Sequence, residues 1–136
     1  MADLQKEFGT DSEKEKEGVW RDDIVGDVRM KIARIGNPRY NKRFQALSKP
    51  HRRALRSGRL KDDIAEKLMI QCLAETIILD WENVEYKGKE LPFSLENAVM
   101  ILTELPELRN YVNDIANELE GYQAEDDEEG VENLKK

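Results

Sequence analysis

The sequence holds a single cysteine, Cys72, and a single histidine, His51. A disulfide needs two cysteines, and a zinc or iron site of the Cys/His type needs three or four ligands. Neither can be built within one chain, so we expect no metal, no cofactor and a reducing, cytosolic environment. No apolar run approaches the roughly 18 residues that a membrane-spanning helix needs. The opening MADLQKEFGT lacks the apolar core of a signal peptide. Neither secretion nor a membrane partner is expected. No glycine-rich loop follows a predicted strand, which leaves a nucleotide site without support. The 136 residues suit one domain able to close a core without covalent staples.

The most informative absence is that of acid between residues 28 and 61. This segment carries twelve Lys or Arg and no Asp or Glu, in a chain whose formal net charge is -7. Everything else therefore sums to -19. The stretch KPHRRALRSGRLK, residues 49–61, alone holds six bases.

What is there organises into helices. Residues 1–18 are polar, charged and aperiodic, and are expected to be a flexible arm. VWRDDIVGDVRMKIARI then places Val28, Met30 and Ile32 on one side of a period-two alternation after the turn-forming Gly26-Asp27. This predicts a short hairpin with Trp20 and Ile24 on its first arm. Asn37 is suited to cap a helix that Pro38 opens, with Tyr40, Phe44 and Leu47 as its apolar face. Pro50 bends or restarts it, and Ser57-Gly58 stops the second piece. Asp62 is the expected cap of the longest periodic segment, DIAEKLMIQCLAETIILDW, read as one central helix reaching Trp81. Lys87-Gly88-Lys89 marks a second hairpin turn, Ser94 caps a helix through Leu105, and Pro106 opens a last helix running to Tyr122. The segment after it is strongly acidic. The fold expected is mainly α: a small single-domain helical fold with one or two short β-hairpins and disordered acidic termini. The domain spans 19–122, with a charged arm at 1–18 and an acidic flexible tail at 123–136.

Catalysis finds no foothold in this pattern. The adjacent pairs Asp22-Asp23 and Asp62-Asp63 read as turn and cap residues, and His51 has no titratable partner beside it. Cys72 lies on the buried stripe of the long helix, where cysteine behaves as a small hydrophobe. We therefore expect a non-enzymatic protein. The basic segment could neutralise phosphates, with Arg52, Arg53, Arg56 and Arg59 near helical spacing and Tyr40 and Phe44 interleaved. The attached acidic segments compete for the same charges, however. A protein partner of acidic character, or a second copy of the chain, is thus favoured over nucleic acid.

Three pieces, in order and spacing, carry a resemblance: IARIGNPRYN, the ETIILDW helix end followed by a short turn, and the capped PFSLENAVMILTELPEL. Together they resemble the tail assembly chaperones of long-tailed, siphovirus-type bacteriophages, over residues 19–122. That resemblance implies a cytoplasmic role in the host cell during virion morphogenesis. Such proteins hold the long helical tape measure protein soluble while tail tube subunits polymerise around it. It also implies self-association along the client and, where a longer frameshifted form is made, contact with the tail tube protein. Arg39, Lys42, Arg43, Arg52, Arg53, Arg56 and Arg59 are the expected partner-binding residues. The alternatives are a small nucleic-acid-binding regulator using residues 39–61 and a structural tail completion or connector subunit of the virion.

Overall fold

Alternation in Arg29–Ile32 makes this segment β2, the middle strand of a three-stranded antiparallel sheet. In the computed structural model, which describes residues 1–118, β1 is Val19–Arg21 and β3 is Ile78–Glu82. The hairpin expected around Gly26-Asp27 is present, but its connection is longer than the pattern suggested. Ile24 lies in that loop and not on a strand, although it still packs against the core.

The helical reading of residues 77–81 is corrected. Helix α5 covers Asp62–Thr76 and ends there, and the chain turns directly into β3. Pairing β3 with β2 sets Met30 opposite Trp81 and Ile32 opposite Ile78, with a bulge beside Lys31. Helical periodicity and a strand with Ile78 and Trp81 turned inward look alike in so short a run. The β-branched pair Ile77-Ile78 favours the strand once a partner edge is available. The α5 cap also shifts by one residue: Lys61 occupies the cap position, and Asp62 is the first helical residue. Asp62 and Asp63 then stand in the first turn, where the helix dipole favours negative charge.

The inner face of the sheet presents Met30, Ile32, Ile78 and Trp81 to a core completed by Ile70, Leu73 and Ala74 of α5. Helix α6, Leu95–Glu104, adds Ala98, Ile101 and Leu102, and helix α7, Pro106–Ala116, adds Val112, Ile115 and Ala116. The Trp81 ring is edge-on to Phe93 at 5.1 Å, and its indole N–H donates to the Leu91 carbonyl at 2.7 Å. This satisfies the one polar atom that the tryptophan carries inward. On the outer face, the Arg29 guanidinium lies 4.7 Å over the Trp20 ring and pairs with Glu82 at 3.1 Å.

The second hairpin is present as β4, Glu85–Tyr86, and β5, Lys89–Glu90. Its central residues Lys87 and Gly88 have φ of 55° and 81°. A two-residue hairpin turn with both φ positive matches the strand twist. Residues 1–18 carry two short helices, α1 at Leu4–Phe8 and α2 at Ser12–Glu17. The second is tied to the body where the Arg34 amide donates to the Glu15 carbonyl at 2.9 Å. At Gly18, φ is +83°, and an added Cβ would meet Leu79 Cδ1 at 3.0 Å and the Ile32 backbone at 3.2 Å. Only glycine suits both the backbone and the space there. The architecture is mainly α, with one small sheet and one hairpin. The expected run of the last helix to Tyr122 is corrected, because α7 ends at Ala116 with Asn117 as its C-cap; residues 119–136, with the acidic segment 123–136, lie outside the described residues.

Candidate partner-binding surface

Helix α3, Pro38–Ser48, begins where the sequence indicates. Asn37 Oδ1 accepts the amides of Arg39 at 2.9 Å and Tyr40 at 3.0 Å, and Asn37 Nδ2 donates to the Arg34 carbonyl at 2.6 Å. Asn37 is buried, and these three bonds discharge its polar atoms. A single 3₁₀ turn, Lys49–His51, follows at Pro50, and α4 spans Arg52–Arg56. The Arg59 amide reaches back to the Ala54 carbonyl at 2.9 Å and the Gly58 amide to that of Leu55 at 3.2 Å. With Gly58 at φ 70°, this is a Schellman stop, as the Ser57-Gly58 pair predicts.

One side of α3 lies on α5. Arg43 Nε donates to Glu75 Oε1 at 2.5 Å and Nη2 to Oε2 at 3.0 Å, a bidentate pair that Gln71 Nε2 supports at 2.6 Å from Oε2. The Arg43 guanidinium holds the Glu75 carboxyl below its ordinary range, against a smaller opposing effect of burial. Cys72 beneath it is buried, and that burial pushes its thiol up, which makes it a poor nucleophile. The same packing raises the half-buried Tyr40 hydroxyl by desolvation.

The other bases of α3 and α4 reach solvent. Arg39, Lys42, Arg52, Arg53 and Arg56 are exposed, and among the described residues none of them has an ion-pair partner. Arg59 is exposed, and its side chain donates to Ser57 Oγ at 3.1 Å. Arg43 is therefore set apart from the other expected binding residues, because its charge is already spent within the fold. Its partner Glu75 lies 32 residues away in the chain, and no local pattern could have paired them.

Two large apolar side chains of the same helices are exposed as well. Phe44 is 36% exposed and stacks on Tyr40 with ring centroids 6.1 Å apart, while Leu55 is 41% exposed. The spacing of Phe44 and Leu55 suggests an inner helix face, but α4 stands clear of the core, and both side chains reach solvent. Arg53, Arg56 and Ser57 border a shallow hollow of about 340 Å³. Across Glu75, Ala74, Ile78, Leu79, Phe93 and Leu95 line a second one of about 380 Å³ with an apolar floor. The arrangement is a broad cationic surface with apolar points. It can steer and hold an extended acidic, partly apolar chain. Among the described residues, no helix is long and apolar enough to cross a membrane.

No curated protein and no solved structure matches this chain. A family model described as the YdaY prophage protein matches residues 35–133, more than half of the sequence and all of α3 to α7. The surface built on α3 and α4 thus belongs to a phage-related protein, and the chain is a member of the YdaY prophage protein family.

Proposed function

We propose that this protein is a non-enzymatic tail assembly chaperone that binds the phage tape measure protein and keeps it soluble while the tail tube polymerises. Membership of a prophage family supports a phage role, and the three sequence pieces resembling tail assembly chaperones support this one. The observation that carries the reading is the set of exposed bases on α3 and α4, without ion-pair partners among the described residues, together with exposed Phe44 and Leu55. A chaperone for a long helical client needs broad contact of moderate strength and not a deep pocket. Several copies acting along one client, in the host cytoplasm, fit the same role. A longer frameshifted form that contacts the tail tube protein would extend it.

The test is co-expression with the tape measure protein of the same phage and co-purification at about 0.15 M salt, where the Debye length is roughly 8 Å. The expected result is a soluble complex, with the client insoluble when expressed alone. A client soluble by itself that forms no complex overturns the reading.

The exposed arginines Arg52, Arg53 and Arg56 also suit phosphates, so nucleic-acid binding is the second reading. It requires duplex or single-stranded affinity that collapses steeply between low and moderate salt. A permanent virion subunit would instead be found in purified particles.

A further inference from the structure

Helix α5 buries side chains along only half of its length. Its buried residues are Ile70, Cys72, Leu73, Ala74 and Thr76, whereas residues 62–69, its first two turns, bury none. Helices α3 and α4 bury none either, so no side chain between residues 41 and 68 is buried. The core cluster and the half-buried side chains packed against it also take nothing from residues 41–68. That stretch nevertheless holds six large apolar residues, of which Phe44 and Leu55 are exposed and Leu47, Leu60, Ile64 and Leu68 are half-buried.

Ile64, Leu68 and Cys72 stand four residues apart and share one face of α5. At Cys72 that face is closed, for its Sγ lies 3.8 Å from the Tyr40 carbonyl of α3 and the side chain is fully buried. At Leu68 and Ile64 the same stripe is only half-buried. Its position is fixed from elsewhere on the helix. Glu66, two residues from each and so turned away from them, pairs with Arg109 Nη1 of α7 at 3.0 Å, and Arg109 also donates to the Leu102 carbonyl of α6 at 3.0 Å. A helix gains most of its stability by burying its apolar stripe against a neighbour. Here the stripe is held in place while part of it stays open.

We infer that the open stripe at Ile64 and Leu68, with Phe44 and Leu55, is a docking site for an amphipathic helix of a partner protein whose apolar stripe is flanked by acid. The helical form follows from the spacing, because a stripe that repeats every four residues packs against another of the same period. The acidic flank follows from charge. Residues 28–61 hold no acid, and Arg39 and Lys42 of α3 and Arg52, Arg53 and Arg56 of α4 are exposed without ion-pair partners among the described residues. Of the acids that open α5, Asp62 and Asp63 occupy its first turn and Glu66 is taken by Arg109. A docked helix therefore meets base along α3 and α4. The inference deepens the proposed function: it rests on a helical client and specifies that apolar contact on α5, and not charge alone, holds it.

Titration of the isotopically labelled full chain with synthetic peptides of about 20 residues, followed by amide chemical shifts, tests it. One peptide carries leucine at helical spacing with glutamate between, a second has the same composition in scrambled order, and a third keeps the leucine pattern with lysine in place of glutamate. At about 0.15 M salt the first should shift amides within residues 41–68. It should also bind at least about tenfold more tightly than either of the others. Ile64→Ser combined with Leu68→Ser should weaken that binding about tenfold while the core amides of Leu102 and Ile115 keep their shifts. Leu55→Ser, at an exposed position on α4, should weaken it without touching α5. Equal binding of the scrambled peptide overturns the inference, because charge alone would then suffice, and equal binding of the lysine peptide overturns the acidic flank. Shifts confined to residues outside 41–68, or an affinity that neither variant changes, overturn it as well. Capture of the tape measure protein by a chain that binds none of the peptides sinks this inference and leaves the proposed function standing, whereas peptide binding without such capture does the reverse.

Discussion

Glu75 shows how one side chain couples the basic face to the core. The bidentate bond from Arg43 lowers its pKa, so the folded state holds this proton less tightly than the unfolded chain does. Such a group stabilises the fold above the ordinary carboxylate range, and that stabilisation is lost as pH falls through the lowered folded value. We expect Glu75→Gln to be less stable than the parent at neutral pH. Its melting temperature should also fall less steeply than the parent's between about pH 5 and pH 3. Thermal melts followed by circular dichroism across that range check both. Leu73 represents the opposite kind of residue, fully buried where α5 meets the sheet and α6. Leu73→Ala should cost about 2–5 kcal/mol in urea unfolding, the range for a core cavity that cannot collapse.

At the level of elements, caps and turns set where the helices stand. Asn37→Ala removes the acceptor for two α3 amides and the side-chain donor to the Arg34 carbonyl, which keeps only the residue-37 backbone amide at 3.2 Å. The expected loss is about 1–2 kcal/mol by urea titration, with faster hydrogen exchange at Arg39 and Tyr40. Because α3 carries Arg39 and Lys42, the same substitution should also loosen the cationic surface. Lys87 adopts a positive φ that a side chain with Cβ enters at a cost. Lys87→Asn, creating the preferred turn pair before Gly88, should raise stability by roughly 0.5 kcal/mol. These elements were legible because Asn-Pro, Ser-Gly and Lys-Gly are local signals with a local mechanism. Strand β3 was not legible: its identity depends on an edge of β2 that lies some fifty residues upstream in the sequence.

For the whole molecule, charge is segregated between the outer face of α3 and α4 and the rest of the chain. Reversing Arg52, Arg53 and Arg56 together to Glu should leave the melting temperature nearly unchanged, since exposed charges contribute little to stability. Client capture should drop, and the drop should shrink as salt is raised toward about 1 M. Unaltered capture at low salt would remove these arginines from the binding surface. The paired Arg43 provides the contrast, because its substitution should perturb folding and binding together.

The sequence by itself determined the helix starts at Asn37-Pro38 and Ser94, the positive turns at Gly58 and Lys87-Gly88, and the block of base without acid. Each of these follows from residues within a few positions of one another. Only the tertiary structure decided that Arg43 is neutralised by Glu75, that Phe44 and Leu55 reach solvent, and that residues 78–82 pair as a strand. Those outcomes depend on which distant segments meet, and a local periodicity carries no record of the partner that will cover it.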